Sequence, residues 1–325
     1  MDLITLHDIE QAQERLRGLA RHTPLLPLAV PELPGEAVYL KPESLQPIGS
    51  FKIRGAVNRI LALTAAERAR GVIAYSSGNH AQGVAYAART LGLSAVIVMP
   101  TNAPAVKVAA TRALGAEVVL YDPAHERRED VAARLQAQRP RVLVPPFDDP
   151  YVIAGQGTVG LEIFHDLPAV ELVLAPVGGG GLLSGLAVAL KALKPSIKII
   201  GVEPELAADA QASLRAGRVV EWAAADTNRT LADGVRTLGL SELTFQHLRT
   251  HADDIVTVSE ADLRRAARRL LTEARLVVEP TAALPLAALL RHRHTLPPSR
   301  CTVLVVTGGN VDPATLAALL ADGDE

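Results

Sequence analysis

The stretch "QPIGSFKIRGAVNRI", residues 46–60, places Lys52 two residues after Ser50, at the predicted start of a helix. The amino end of a helix carries partial positive charge, so an ammonium group is disfavoured there and acidic side chains are preferred. A lysine at this position is therefore biased toward its neutral amine. The neutral amine is the form that attacks an aldehyde to give a Schiff base, so the stretch predicts a reactive lysine.

The composition is that of an ordinary globular enzyme. The 325 residues predict about two domains, 49% of them are hydrophobic and 21% charged, and the net charge is -2. No basic surface is indicated, so no nucleic-acid partner is expected. The single cysteine, Cys301, excludes an intrachain disulfide framework and a cysteine-based metal cluster. With no secretory leader and no apolar run long enough to span a bilayer, a cytoplasmic protein without a membrane partner is expected.

Short β-branched runs alternate with amphipathic helical patterns. The runs "GVIAY", "AVIVMP", "EVVLY" and "RVLVPP" come first, and "ELVLAPV", "IKIIGVEP", "DIVTVS" and "CTVLVVT" repeat the scheme. Such alternation predicts an α/β fold of two open, mostly parallel twisted sheets with helices on both faces. Changes in the pattern predict a small domain over residues 70–148 and a large domain over residues 1–69 and 149–325.

Helices are predicted between these runs. The first starts with a capping box at Thr5 and is expected to end at Thr23-Pro24. The others are predicted near residues 80–91, 104–114, 131–135, 182–193, 207–214 and 260–273, with a last one from about 313.

Glycine-bearing segments follow three predicted strands, at the sheet edge where parallel sheets bind ligands. "SSGNHAQG", residues 76–83, could offer backbone N–H groups to an anion, or could be only a helix cap and a tight turn. "PVGGGGLLSG", residues 176–185, has four consecutive glycines, whose entropic cost makes sense if the backbone wraps a phosphate. "VVTGGN", residues 305–310, brings the Thr307 hydroxyl to the same edge, although a turn with a capping residue is the better explanation of this motif taken alone.

The segment "VEPELAADA", residues 202–210, carries Glu203 and Asp209 around a turn. Carboxylate and carbonyl oxygens are the ligands of hard cations. Acids at a helix start are also common for electrostatic reasons, and the pattern alone favours that second explanation.

A reactive lysine together with a phosphate-binding glycine run predicts a phosphorylated aldehyde as cofactor. Pyridoxal 5'-phosphate is such an aldehyde, and it carries amino-acid chemistry. A small amino-acid substrate is therefore expected.

Four motifs together resemble the fold-type II pyridoxal-phosphate enzymes, within the serine/threonine dehydratase and serine racemase group. They are "LKPESLQPIGSFKIRGA", "SSGNHAQGVAYAA", "PVGGGGLLSG" and "TGGNV", and the resemblance runs from about Thr23 to Val311. It implies that the large domain binds the cofactor, that the cofactor lies in the cleft between the domains, and that the protein is a homodimer.

The resemblance also implies roles for particular residues. Lys52 would hold the cofactor as a Schiff base, flanked by Ser50 and Phe51, and Asn79 would contact the cofactor's 3′-oxygen. Thr307 would lie at the pyridine nitrogen. A hydroxyl there cannot fully support a protonated nitrogen as a carboxylate can, so the ring is a weaker electron sink, which suits prompt β-elimination. The phosphate would be held by Gly178, Gly179, Gly180 and Gly181. The substrate carboxylate would be bound by Ser76, Ser77, Gly78, Asn79 and His80.

A divalent cation is implied as well. In racemases and some relatives of the group, Glu203, the Ala207 carbonyl and Asp209 match a cation site, which would take Mg²⁺ or Ca²⁺.

The resulting prediction is a lyase that removes water from a β-hydroxy amino acid such as threonine or serine, with Lys52 as general base. Ser77 keeps a second activity open, because plain dehydratases commonly have alanine there and serine racemases use this serine as the base on the second face. The segment "PPFDDPYVIAGQGT", in contrast, is similar to dehydratases. Serine or aspartate-type racemisation and 3-hydroxyaspartate dehydration therefore stay open. A non-catalytic nucleotide-binding protein is the alternative of another class, but it leaves Lys52 and "SSGNH" unexplained.

Overall fold

Two parallel-rich sheets with helices packed against them make up the structure, a computed structural model that describes residues 2–103 and 105–321. In chain order the strands are β1 (Leu26–Leu28), β2 (Ala37–Pro42), β3 (Val72–Tyr75), β4 (Ala95–Pro100), β5 (Glu117–Tyr121), β6 (Val142–Leu143), β7 (Leu172–Pro176), β8 (Lys198–Pro204), β9 (Asp254–Val258) and β10 (Cys301–Val306). The helices are α1 (Leu6–Leu16), α2 (Lys52–Leu61), α3 (Ala65–Arg70), α4 (Asn79–Thr90), α5 (Ala105–Ala113), α6 (Arg128–Gln138), α7 (Pro150–Asp166), α8 (Gly181–Leu193), α9 (Asp209–Ala216), α10 (Ala224–Thr227), α11 (Glu242–His251), α12 (Glu260–Thr272), α13 (Leu284–His292) and α14 (Pro313–Ala321).

The larger sheet has the strand order β1-β2-β10-β7-β8-β9, and the smaller sheet has the order β5-β4-β3-β6. Only the edge pair β1 and β2 is antiparallel in the larger sheet, and every pair in the smaller sheet is parallel. The predicted fold class is confirmed. The smaller sheet lies inside residues 70–148, and the division of the chain into two domains at those boundaries remains our prediction.

Side chains alternate between the two faces of each sheet, and helices cover both faces. In β7, Leu172 and Leu174 pack with residues of α12 and α13, while Val173 and Ala175 pack with residues of α8 and α11. In the smaller sheet one face packs on α2 and α4 and the other on α6. A parallel sheet buried on both faces requires strands that are apolar throughout, which explains the continuous runs in the sequence.

A buried ion network lies beneath the first turn of α2. The Arg54 guanidinium donates to both oxygens of Glu43, at 2.7 and 2.8 Å, and to both oxygens of Glu162, at 2.6 and 2.8 Å. Lys41 of β2 pairs with Glu162 at 2.6 Å. Arg54 and Lys41 are 1% and 0% exposed, so these charges compensate one another away from water. The network ties α2, which starts at Lys52, to β2 and α7.

Most predicted elements are found close to their predicted bounds, and one helix end is wrong. The capping box is present: the Thr5 side chain accepts from the Asp8 backbone, and the Asp8 carboxylate accepts from the Thr5 backbone. However, α1 ends at Leu16, well before Thr23-Pro24, because Gly18 turns the chain with φ +77. The predicted start of the fifth helix, Pro104, lies outside the described residues. The sequence patterns also missed β1, β2, α3, α7, α10, α11 and α13.

Among the described residues, no helix is both long enough and apolar enough to cross a membrane.

Candidate active site

Three segments predicted to bind the cofactor follow three neighbouring strands of the larger sheet. Strands β2, β10 and β7 lie side by side and run parallel. Lys52 comes after β2, Thr307 directly after β10, and the glycine run 178–181 shortly after β7. Because parallel strands end at the same edge, this strand order brings the three segments to one crevice.

Lys52 is the first residue of α2, and its amine faces the segment before α7. Its Nζ donates a hydrogen bond to the Pro146 carbonyl at 2.8 Å and lies 5.2 Å from the centre of the Phe51 ring. Burial lowers the pKa of Lys52 to about 8, although the Glu279 carboxylate acts in the opposite direction. About a tenth of the amine is therefore free at pH 7, far more than for an ordinary lysine, and Schiff-base chemistry requires the free amine.

The glycine run has little room for side chains. Gly180 has φ +84, in the left-handed region that glycine adopts without strain. A Cβ on Gly179 would lie 2.2 Å from the Phe147 ring, and one on Gly181 would lie 3.0 Å from the Phe147 Cβ. Phe147 directly follows the carbonyl that accepts from Lys52, so the glycine run and the amine contact the same dipeptide. Since α8 starts at Gly181, the N–H groups of its first turn have no helical partner and can bind a phosphate.

Thr307 and Ser50 each carry a buried hydroxyl without a hydrogen-bond partner in the described part of the chain. The two residues lie close together, because the Phe51 N–H donates to the Thr307 carbonyl at 3.1 Å and Ser50 pairs with Gly308 in an isolated β-bridge. Buried polar groups are rarely left unsatisfied in proteins. Two such hydroxyls beside the Lys52 turn fit a polar ligand that would supply their hydrogen-bond partners.

The segment from Ser76 to His80 leads from β3 into α4. The Ser76 hydroxyl accepts from the Gly78 N–H at 3.2 Å, and the Ser77 side chain is exposed. His80 is 2% exposed, and its Nε2 donates to the Val144 carbonyl at 2.8 Å. Burial is the main cause that lowers the pKa of His80 to about 3, so the ring is neutral. Because the ring is used in a contact within the protein, the predicted binding of a substrate carboxylate by His80 depends on its backbone N–H.

Asn79 is held by two residues to which the sequence patterns assign no role, Glu279 and Asn310. The Asn79 Nδ2 donates to both carboxylate oxygens of Glu279, at 2.9 and 3.0 Å, and the Asn79 Oδ1 accepts from the Asn310 Nδ2 at 2.8 Å. Glu279 is 3% exposed, and burial raises its pKa to about 7. The available signal was weak, since Glu279 precedes a proline and so has the pattern of an ordinary helix start.

The acids predicted to bind a divalent cation lie at the end of β8 and the start of α9. Both oxygens of Glu203 accept backbone N–H groups of α9, from Ala210 at 2.9 Å and Gln211 at 2.8 Å, which is the helix-end role considered for this motif. Asp209 is also buried, and neither of its carboxylate oxygens has a hydrogen-bond partner among the residues that the structure describes. Burial raises the pKa of Asp209 to about 7 and that of Glu203 well above its ordinary range.

This donor set fits a hard cation only with further oxygen ligands. The two unpartnered oxygens of Asp209 and the neighbouring Glu203 are suitable, and the Ala207 carbonyl or water would have to complete the coordination. Over residues 2–103 and 105–321, no group of three or more His, Cys, Asp or Glu side chains is placed to hold a metal.

The crevice has the parts of an α/β enzyme that works through a reactive lysine and a phosphate. A phosphorylated aldehyde fits these residues: the Lys52 amine suits its aldehyde carbon, the glycine run and the start of α8 suit its phosphate, and the unpartnered Thr307 hydroxyl suits a ring heteroatom. Pyridoxal phosphate, when bound, supplies an electron sink for the bond that breaks at the substrate α-carbon.

The chain belongs to the family of pyridoxal-phosphate dependent enzymes, whose family model matches residues 16–308. It is 44% identical over 322 residues to L-threonine ammonia-lyase of Thermotoga maritima, covering 99% of this chain and 79% of that protein. It is also 44% identical over 321 residues to L-threo-3-hydroxyaspartate ammonia-lyase of a Pseudomonas species, covering 98% of this chain and 99% of that protein. The structure of maize serine racemase matches with a TM-score of 0.93 at 36% identity, covering 98% of this chain and 97% of that one. The predicted family and its cofactor, pyridoxal phosphate, are confirmed, and the roles of individual residues remain predictions.

Proposed function

We propose that this protein removes water from a β-hydroxy amino acid such as threonine or serine and releases a 2-oxo acid and ammonia. The observation that carries the proposal is the Lys52 amine, hydrogen-bonded to the Pro146 carbonyl beside the glycine run. An amine whose pKa is about 8 is a nucleophile toward aldehydes and a base of suitable strength for an α-proton. Elimination is also supported by the 44% identity to two ammonia-lyases.

Each predicted residue has a task in this reaction. Lys52 takes the α-proton, Asn79 binds the cofactor's 3′-oxygen, and Thr307 faces the ring nitrogen. The segment 76–80 binds the substrate carboxylate and so fixes the direction of the α-hydrogen. The phosphate is held by the backbone of Gly178, Gly179, Gly180 and Gly181. A hydroxyl such as that of Thr307 would not keep the ring nitrogen protonated as a carboxylate would, so the cofactor would be a weaker electron sink, which favours prompt loss of the β-hydroxyl.

One cation near the crevice is already paired. Lys107 pairs with Asp233, and both charges act on the buried Glu279 carboxylate. Because Asp233 neutralises Lys107, this lysine gives no support to a substrate with a second carboxylate, and threonine and serine stay our first candidates.

Racemisation of serine is the second candidate, and the exposed Ser77 side chain next to the Asn79 region favours it. A proton delivered to the face opposite Lys52 needs a donor, which a hydroxyl can supply if it is activated. Ser77→Ala should then stop the formation of D-serine from L-serine while much of the pyruvate formation continues. If the wild type forms no D-serine, this second activity is excluded.

We further propose a cytoplasmic homodimer, in which an apolar surface around Gly309 contacts the second copy. Leu45 and Val277 are 41% and 56% exposed, and the neighbouring Ser44 Cβ and Val277 carbonyl lie 3.2 and 2.6 Å from a Cβ placed on Gly309. Exposed apolar side chains that lie together are typical of subunit contacts. Sedimentation equilibrium should give twice the mass of the chain, and a monomer would contradict this part of the proposal.

The main test is 2-oxo acid release from threonine, serine and 3-hydroxyaspartate, each in both enantiomers. Wild type should act on one of the first two substrates, and Lys52→Ala should lose the activity together with the visible absorption of the bound cofactor. Lys198→Ala is the matched control, because Lys198 is 48% exposed and pairs with Asp253 on the surface. Near wild-type turnover by Lys52→Ala would show that the catalytic assignment is wrong.

A further inference from the structure

The amide of Asn79 can adopt only one orientation in its hydrogen-bond chain. The Asn310 Nδ2 donates to the Ile48 carbonyl at 2.9 Å, and a carbonyl oxygen can only accept, so this atom of Asn310 must be the nitrogen. The same nitrogen donates to Asn79 at 2.8 Å, so the Asn79 atom that faces it must be the oxygen. The Asn79 nitrogen therefore faces the Glu279 carboxylate, which accepts at 2.9 and 3.0 Å. The Ile48 carbonyl thus fixes the orientation of the Asn310 amide, and Asn310 in turn fixes the orientation of the Asn79 amide.

One N–H of Asn79 remains available in this arrangement. The two N–H bonds of an amide diverge by a trigonal angle, whereas the two oxygens of one carboxylate lie close together. A single N–H shared between both Glu279 oxygens accounts for the two distances, and the second N–H points elsewhere. A donor held in this way is suited to the cofactor's 3′-oxygen, which is the role proposed for Asn79.

Glu279 itself is fixed by the loop that follows β10. The Glu279 N–H donates to the Gly308 carbonyl at 3.1 Å. A Cβ on Gly308 would lie 2.6 Å from the Glu279 Oε1 and 3.2 Å from the Asn79 Nδ2, so only glycine leaves room for this contact. Gly308 directly follows Thr307, whose buried hydroxyl has no partner. The carboxylate thus contacts Asn79 and lies against the glycine that follows Thr307.

A buried carboxylate in this place is costly for the folded protein. Glu279 is 3% exposed, and its direct side-chain partner is a neutral amide rather than a cation. The charged groups that act on it are Lys107 and Asp233, with opposite effects, and Lys52, whose ammonium form it favours. A packing role would be served by an apolar side chain of the same size, so a buried carboxyl group hydrogen-bonded to Asn79 indicates a task in the site.

We propose that Glu279 is a positioning residue that holds the Asn79 amide with its nitrogen toward the cofactor. This rests on the proposed role of Asn79 but not on which amino acid is the substrate. An ionised acceptor also polarises the amide, which makes the remaining N–H a stronger donor. Glu279 therefore acts on the cofactor through Asn79.

A double-mutant cycle on cofactor affinity tests this inference. Apo-protein is titrated with pyridoxal phosphate for wild type, Glu279→Ala, Asn79→Ala and the double variant, and the absorption maximum of the bound cofactor is recorded for each. Glu279→Ala should weaken affinity roughly tenfold and shift the absorption maximum, as expected for the loss of one charge-assisted hydrogen bond. In the Asn79→Ala background the same substitution should change affinity less than about twofold.

Two further variants keep the inference open to refutation. Glu279→Gln keeps the shape and an amide oxygen that can accept from Asn79 but removes the charge, so it should weaken affinity less than Glu279→Ala and only where Asn79 is present. It replaces Glu279→Ala in the cycle if that variant does not fold. Glu273→Gln removes a surface carboxylate that pairs with Arg269, so it controls for the change in charge and should leave affinity and absorption unchanged. An equal loss in both Asn79 backgrounds, or unchanged affinity and absorption in a folded Glu279→Ala variant, would overturn the proposal. Because these measurements use no substrate, they stand whether or not the protein proves to be a dehydratase.

Discussion

Replacing Arg54 by methionine tests whether the buried ion network is required for a stable fold around Lys52. Arg54 donates through Nε and both Nη atoms, and its acceptors include Thr158 Oγ1 at 3.1 Å and the Arg21 carbonyl at 3.1 Å besides the two carboxylates. Methionine has a similar length but no donor. The substitution therefore removes the charge and the hydrogen bonds while it leaves most of the volume filled.

The expected loss follows from what each carboxylate keeps. Glu162 keeps its ion pair with Lys41, whereas Glu43 keeps only the neutral donors Thr23 Oγ1 at 2.7 Å and Gln46 Nε2 at 3.1 Å. One buried carboxylate is thus left without a cation, which costs about 3–5 kcal/mol in the free energy of unfolding. For a chain of this size the melting temperature should fall by roughly 4–7 °C.

Thermal melting and urea unfolding of the apo-protein provide the assay. Arg54→Lys keeps the charge but not the forked geometry, so its loss should be intermediate. Arg17→Met is the matched control, because Arg17 and its partner Glu14 are 77% and 63% exposed and such pairs contribute at most about 1 kcal/mol. If Arg54→Met loses no more stability than Arg17→Met, the network does not stabilise the fold and our reasoning is wrong.

Three further predictions concern the crevice itself. Gly179→Val should weaken the cofactor affinity of the apo-protein at least tenfold with little loss of helix content, since even a Cβ would lie 2.2 Å from the Phe147 ring. Unchanged affinity would argue against phosphate binding by the glycine run. Because the pKa of Lys52 is about 8 and only the free amine attacks an aldehyde, the rate at which apo-protein combines with pyridoxal phosphate should rise from pH 6 and level off above about pH 8; a rise that continues to pH 10 would indicate an ordinary lysine. Mg²⁺ or Ca²⁺ should raise the melting temperature of wild type but not of Asp209→Asn, since the buried Asp209 oxygens have no partner in the described chain. If a chelator changes neither the melting temperature nor the activity, the cation site is refuted, and the role of Glu203 is only to accept the N–H groups at the start of α9.

Local sequence patterns were sufficient to predict most of the regular structure and to single out candidate residues for the chemistry. The strand runs are continuous and apolar because both sheet faces are buried, so their positions follow from short windows of sequence. The Lys52 turn, the glycine run and the Thr307 segment were recognised because each residue type is unusual in its place. The start of α1 was predicted for the same reason, since a capping box involves residues only three apart.

Helix α7 shows where local patterns fail. It contains Gly155, Gly157 and Gly160, which disfavour a helix when the sequence is considered alone. In the structure a Cβ on Gly157 would lie 2.9 Å from the Gly185 carbonyl of α8, and a Cβ on Gly185 would lie 2.4 Å from the Ile153 carbonyl of α7. The glycines allow the two helices to approach at backbone distance, so the partner helix stabilises what the local sequence disfavours.

The sequence by itself determined which residue types carry the chemistry, namely a lysine at a helix start, a run of glycines and a hydroxyl after a strand. Only the tertiary structure decided that β2, β10 and β7 are neighbours, an order that no local pattern contains and that brings these residues to one crevice. It also decided that Asn79 meets Glu279, which lies 200 positions further along the chain. The physical reason is range: helix and strand periods arise from contacts between near neighbours in sequence, whereas strand order and buried partners arise from the packing of the whole chain.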